Sequence, residues 1–187
     1  MSRPIVRPAV GDDLPILRQI EWASGQRFRE YGLDHVADDE PVSVEVLSRY
    51  ASQGRAWVAV DHADQPIGFV VVDMVDGLGH IEQVSVAPDR QGQGVGRALI
   101  EQAKAWAVSR DVPALTLTTF EHIPWNRPLY EHLGFRVLSP DQITPGVQAR
   151  RDAETEHGLD PELRVVMRLD LQNREFGTEQ GVDGSAS

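Results

Sequence analysis

Apolar positions along this chain recur with two periods, and the switches between them divide it into elements. Residues 4–7 read as a short strand, and Leu14, Leu17 and Ile20 recur at helical spacing behind Gly11-Asp12-Asp13, which offers a helix cap. That first helix is expected to reach about Phe28 and to end at Tyr31-Gly32. Residues 34–41 are acidic and turn-like, and Val46, Leu47 and Tyr50 mark a second helix over 42–53. Three extended runs follow, at 56–60, 66–72 and 80–86, with a polar turn and then Asp76-Gly77 between them. Val95, Ala98, Leu99, Ala103 and Trp106 describe one face of a helix over 94–109. A strand over 113–120, a short helix from Pro128 to a stop at Gly134, a charged insertion over 142–158 and a last strand over 163–171 complete the pattern. Residues 172–187 have the Gly, Ser and acidic composition of a disordered tail.

The order of these elements carries information. Three consecutive strands form an antiparallel meander before any crossover helix, whereas a doubly wound dinucleotide fold alternates strand and helix from its start. The later strand, helix and strand permit one parallel crossover, so the strands ending at Val86 and Thr119 lie side by side and splay around a ligand.

The crossover begins with Gln91-Gly92-Gln93-Gly94-Val95-Gly96-Arg97, a glycine loop between a strand and a helix. Glycines let backbone N–H groups turn toward a ligand, and the free first-turn amides and helix dipole favour an anion, so this is a place for phosphate. A Walker loop is excluded, because Gly96-Arg97-Ala98 lacks the Lys and hydroxyl that hold phosphate and magnesium. The dinucleotide spacing is not met either, and the next strand ends in threonines rather than an acid that would hold a ribose.

Composition narrows the setting. With 187 residues the chain suits one domain, assigned to 1–171. It contains no cysteine, which rules out disulfides, a thiolate nucleophile and a zinc-thiolate site and fits a reducing compartment. Residues 1–10 hold no apolar run, so neither a signal peptide nor a membrane span is expected, and the expected location is cytoplasmic. With 18 Lys and Arg against 29 Asp and Glu the formal charge is −11, which speaks against nucleic acid as a partner. The six histidines show no pair at metal spacing, and no metal site is expected.

Gln91-x-x-Gly94-x-Gly96 resembles the acetyl-CoA pyrophosphate loop of the GCN5-related N-acetyltransferase (GNAT) superfamily, whose pattern is Gln/Arg-x-x-Gly-x-Gly/Ala. Tyr130-x-x-x-Gly134-Phe135, later in the chain and in the family's order, resembles the close of the superfamily's last helix. The resemblance implies an α/β (α+β) fold: a mixed, mostly antiparallel sheet of six to seven strands, helices on both faces and a splayed central parallel pair. It implies acetyl-CoA as co-substrate, held by Gln91, Gly92, Gln93, Gly94, Val95, Gly96 and Arg97, with the pantetheine arm pairing on the backbone of Val84, Ser85 and Val86. Family members place an Asn two turns ahead of the Tyr, whereas Asn126 lies four residues before Tyr130, a departure from the pattern for this CoA-contacting position.

Acetyl transfer to an amine needs a polarised thioester carbonyl, a deprotonated amine and a protonated leaving thiolate. A backbone N–H of Val84 or Val86 serves the first. Glu82, expected to align with Val84 and Val86 in a regular strand and to be partly desolvated there, is the candidate base. Tyr130 matches the position from which the superfamily donates a proton to sulfur, and an ordinary phenol stays protonated at neutral pH. His80, His122 and Trp125 are candidates for lining the acceptor pocket, Glu30, Asp34, Asp38, Asp39 and Glu40 for attracting an amine, and Arg90 for steadying phosphate. The activity these residues imply is direct transfer to a primary amine of a small molecule or peptide in a ternary complex. The alternative is a non-catalytic acyl-CoA-binding sensor, and a homodimer is compatible with the sequence.

Overall fold

The computed structural model describes residues 4–171, so the tail expected at 172–187 lies outside the described residues. Strands β1 (Ile5–Pro8), β2 (Ala56–Val60), β3 (Pro66–Val75), β4 (Leu78–Val86), β5 (Ala114–Phe120), β6 (Arg136–Val137) and β7 (Arg164–Asp170) form one sheet in the order β1-β2-β3-β4-β5-β7-β6. The β4–β5 pair is parallel and the others are antiparallel. The expected sheet, with its meander and its parallel crossover, is therefore the one found.

Both faces of the sheet are covered, which is why β2 is buried at every position. Helices α1 (Leu14–Gly25) and α3 (Val44–Ser52) cover one face, where Leu14, Leu17, Ile20 and Leu47 meet Val58, Val60, Phe69 and Val71. Helix α4 (Val95–Ser109) covers the other, packing Leu99, Ile100 and Ala103 on Trp57, Val70 and Leu115. Leu99 is fully buried, a burial that contributes roughly 1.5–3 kcal/mol. Close approach of α4 depends on Gly68, where a Cβ would stand 2.9 Å from the Ser85 carbonyl and 3.1 Å from Val95.

Several boundaries differ from the periodicity. Helix α1 stops at Gly25 rather than Phe28 and tightens into a 3-10 helix over Gln26–Tyr31, closed by Gly32 at φ 70°. Three residues per turn stack Phe28 and Tyr31 on one line, from which they reach Phe120 and Trp125 at ring separations of 5.3 and 5.0 Å. Asp13 does not cap α1 with its side chain; it turns back to accept from the Val10 N–H at 2.8 Å and from Arg7 at 2.8 Å. The acidic stretch contains one helical turn, α2 (Asp34–Ala37), tied to Arg29 through Asp34 and Asp38.

The β3–β4 hairpin is longer than expected, because Asp76 and Gly77 at φ 52° and 75° make a two-residue turn whose twist suits the strands. That turn also fixes the insertion. Helix α6 (Pro145–Glu156) starts where the Gly146 N–H donates to Asp76 at 2.7 Å, and its Val147 is buried with Val75, Leu138 and Val166. Helix α5 (Arg127–His132) is short and ends at Gly134, φ 95°, before Phe135 enters the core.

Candidate active site

The parallel pairing of β4 and β5 is brief. It runs only through Gly79–Leu115, His80–Thr116 and Ile81–Leu117. Beyond it β5 stays with β7 while β4 stays with β3, so the sheet forks at Glu82 and the β4 edge over 82–86 faces a gap. A cleft of about 740 Å³ fills that gap and continues over the glycine loop.

A bulge sits at the fork. Val71 pairs with Gln83 and Val72 with Ile81, which leaves Glu82 as the unpaired extra residue. The slip reverses the alternation of side chains. Ile81, Val84 and Val86 join the core under α4, whereas Glu82 turns to the opposite face and meets Arg150 of α6. The expected alignment of Glu82 with Val84 and Val86 is thus corrected, because a regular strand would have kept all three even positions on one face.

At the far end of the cleft Gly94 takes φ 81° and precedes α4, leaving the first-turn amides of Val95, Gly96 and Arg97 without intrahelical partners. A Cβ on Gly92 or Gly94 would meet nothing within 4 Å, so the space over the loop is open to a ligand. Gln91 donates to the Val86 carbonyl at 3.2 Å and tethers the loop to the strand end. The Gln93 side chain turns back to the Asp89 carbonyl at 2.8 Å and takes no part in lining the cleft. Free backbone amides at a helix start and an unpaired strand edge fit the diphosphate and the amide-bearing arm of a CoA thioester.

Glu82 is three-quarters buried as a side chain. Desolvation pushes its carboxyl up to about 7, with Asp73 and Glu154 adding to the rise and Arg150 opposing it. Its Oε1 lies 3.0 Å from Arg150 Nη1, yet among the described residues no hydrogen bond reaches that enclosed oxygen. Tyr130 packs on Phe135 at a 5.8 Å ring separation, lines the cleft and makes no hydrogen bond through its hydroxyl among the described residues. Burial pushes its phenol up to about 12, so it is a proton donor throughout the neutral range.

Other predicted residues divide. Val84, Ser85, Val86, Arg90, Arg97, Trp125 and Asn126 line the cleft, although Asn126 opens α5 without a side-chain cap and Ser85 is buried, accepting from Gln83 at 2.7 Å. Asp39 and Glu40 line the same cleft on the α1 side, Glu40 paired with Arg18 at 3.2 Å, and Asp34 and Asp38 are taken by Arg29. His80 does not line the cleft: it is buried against Thr116 at 2.8 Å, and desolvation lowers it to about 4, a neutral core histidine. His122 points to solvent with its side chain 77% exposed.

Four charged residues of the cleft escape sequence reasoning. Glu21 on α1 accepts from the Val42 N–H at 3.2 Å and is pushed by desolvation up to about 7, and Glu154 and Arg164 pair at 3.2 Å beside Tyr130. Arg27 crosses the mouth of the cleft, stacking 3.7 Å over Trp125 while donating to Gln91 at 3.0 Å. Helical spacing placed Glu21 one residue past a buried Ile20, but nothing local marks which solvent-side acid faces a cleft. Arg27, Glu154 and Arg164 are set by contacts between distant segments.

A forked mixed sheet, a strand-edge bulge and a loop of free amides at a helix start thus meet on one cleft. The chain belongs to the Acetyltransferase (GNAT) family, which matches residues 16–135. It is 29% identical to the peptidyl-lysine N-acetyltransferase YjaB of Salmonella typhimurium over 99 residues, 53% of this chain and 62% of that protein, so the match spans under two thirds of the relative's length. Its fold is that of a Staphylococcus aureus Mu50 acetyltransferase of the GNAT family, at TM-score 0.70 and 13% identity over 91% of this chain and all of that one. It is likewise that of the PaiA N-acetyltransferase of Thermoplasma acidophilum, solved in complex with coenzyme A, at TM-score 0.67 and 14% identity over 90% and 99% of the two chains.

Proposed function

We propose that this protein transfers acetyl from acetyl-CoA directly to a primary amine, with Glu82 as base and Tyr130 as acid. The observation that carries this reading is the placement of both groups on one cleft at the fork, one carboxyl half-ionised near neutrality and one phenol held protonated. The pyrophosphate lies on the 91–97 loop, and the pantetheine pairs with the free edge of 84–86. A backbone N–H of that edge polarises the thioester carbonyl.

Glu82 removes a proton from the bound amine, directly or through one water. The nitrogen lone pair then forms the C–N bond, and Tyr130 donates its proton to the departing thiolate as the C–S bond breaks. The second proton leaves the nitrogen as the amide forms and passes through solvent to the Tyr130 phenolate, amide and CoA leave, and Glu82 returns its own proton to solvent. With no cysteine in the chain, direct transfer replaces any thioester on the protein. Glu21 and Asp39 on the acceptor side favour an ammonium-bearing acceptor, and the YjaB relative supports a peptide lysine as one such amine. No described helix is long and apolar enough to cross a membrane, in keeping with the cytoplasmic location we assign.

The test is CoA release from acetyl-CoA with a panel of amines: polyamines, amino acids, antibiotic amines, peptide lysines and peptide N-termini. Turnover with at least one class, lowered by Glu82→Gln and by Tyr130→Phe, supports the reading. Tight acetyl-CoA binding with no turnover on any class favours a sensor instead.

A further inference from the structure

Helix α6 lies outside both motifs, yet its middle reaches the fork. Arg150 Nη1 stands 3.0 Å from Glu82 Oε1, and Arg150 Nη2 donates to Asp73 Oδ2. The other Asp73 oxygen accepts from Arg55 at 2.5 Å. One guanidinium is therefore shared between two carboxylates, and the groups form a chain from Glu82 through Arg150 and Asp73 to Arg55.

We propose that Arg150 is a positioning residue for Glu82: its guanidinium, wedged between Glu82 and Asp73, fixes the direction of the carboxylate at the bulge and shares its charge between the two acids. The proposal rests on the reading of Glu82 as base. Three observations carry it. The bulge leaves Glu82 outside the strand ladder, so its side chain has no cross-strand partner to orient it. The enclosed Oε1 is met by an ion contact alone, and a charge with one partner in a poorly solvated site is held by that partner. The α6 backbone is itself anchored at its start by Asp76 and at Arg151, which donates to the Pro161 carbonyl at 2.7 Å, so Arg150 is presented from a fixed helix.

The division of charge has a sign. The charged and titratable groups facing Glu82 are Arg150 and Glu154 from α6, Asp73 from β3 and Tyr50 from α3, with Arg55 behind Asp73. Arg150 favours the ionised carboxylate, while Asp73 disfavours it directly and also draws on the same guanidinium. Removing Arg150 and removing Asp73 must therefore move Glu82 in opposite directions, an outcome that loss of packing alone does not give.

Carbon-13 NMR of protein labelled at the glutamate carboxyls reads this without any acceptor, the Glu82 resonance being the one absent in Glu82→Gln. Arg150→Gln is expected to raise the Glu82 titration midpoint by about one pH unit, and Arg150→Met, which keeps the aliphatic stem, to do the same. Asp73→Asn is expected to lower it. An unchanged midpoint in both Arg150 variants, or movement of the Arg150 and Asp73 variants in the same direction, overturns the proposal. Arg150 is 40% exposed, so its variants carry the test even where Asp73→Asn does not fold. Turnover of Glu82→Gln tests the base reading separately, so the two can fail independently.

Discussion

Glu82 and Val84, two residues apart on one strand, lie on opposite faces of the sheet, because Glu82 is the unpaired residue of a bulge against Val71 and Val72. The slip lets one strand do two jobs. Its edge from Val84 onward lies free along the cleft, while Glu82 looks into the side of the cleft that α1, α2 and α6 enclose.

Burying that carboxyl has a cost that depends on pH. Glu82 sits at about 7 in the fold against an ordinary 4.5, so its stabilising contribution is complete below about 4.5 and is lost as pH rises through about 7. Glu82→Gln removes the charge and keeps the shape. It is expected to equal the parent protein near pH 4.5 and to exceed it by ~1–3 kcal/mol at pH 8. Urea unfolding at both pH values checks this, and a difference that stays constant with pH contradicts it.

In the proposed mechanism Tyr130 acts on the leaving sulfur only, and Tyr130→Phe keeps the ring packed on Phe135 while removing the proton alone. The expected result is a fall in kcat of about 10²-fold with CoA affinity unchanged. Steady-state kinetics with calorimetric CoA titration separates the two, and an unchanged kcat removes Tyr130 from the mechanism.

The two loop glycines differ in what they require. Gly94 at φ 81° is strained by any side chain, and Gly94→Ala is expected to cost ~1–2 kcal/mol and to weaken CoA binding. Gly96 is already helical and a Cβ there would meet only Val86, at 3.8 Å, so Gly96→Ala is expected to be neutral or to stabilise by up to ~1 kcal/mol. Thermal unfolding with and without CoA distinguishes them.

The fold was legible where periodicity and turn chemistry agree. The apolar runs of β2 and β3, the Asp76-Gly77 turn and the α4 stripe all lie where the sequence places them. The glycine loop was legible for the same reason, since φ at Gly94 and the free amides are local properties. The place of Glu82 near the end of β4 was legible, but its face was not, because a bulge depends on how β3 registers against β4. Arg150 was invisible: the 142–158 segment carries charges of both signs on a weakly apolar helix, and only its anchoring on Asp76 brings one of them to the fork.

The central claim is that Glu82 takes the proton of the acceptor amine. The measurement that tests it most directly is the pH dependence of kcat/KM for Glu82→Gln beside the parent protein, on whichever amine gives the highest turnover. The account predicts a limb rising through about pH 7 in the parent, its loss in Glu82→Gln, and a fall of about 10²–10⁴-fold above it. A Glu82→Gln protein that keeps both the rate and the limb contradicts it.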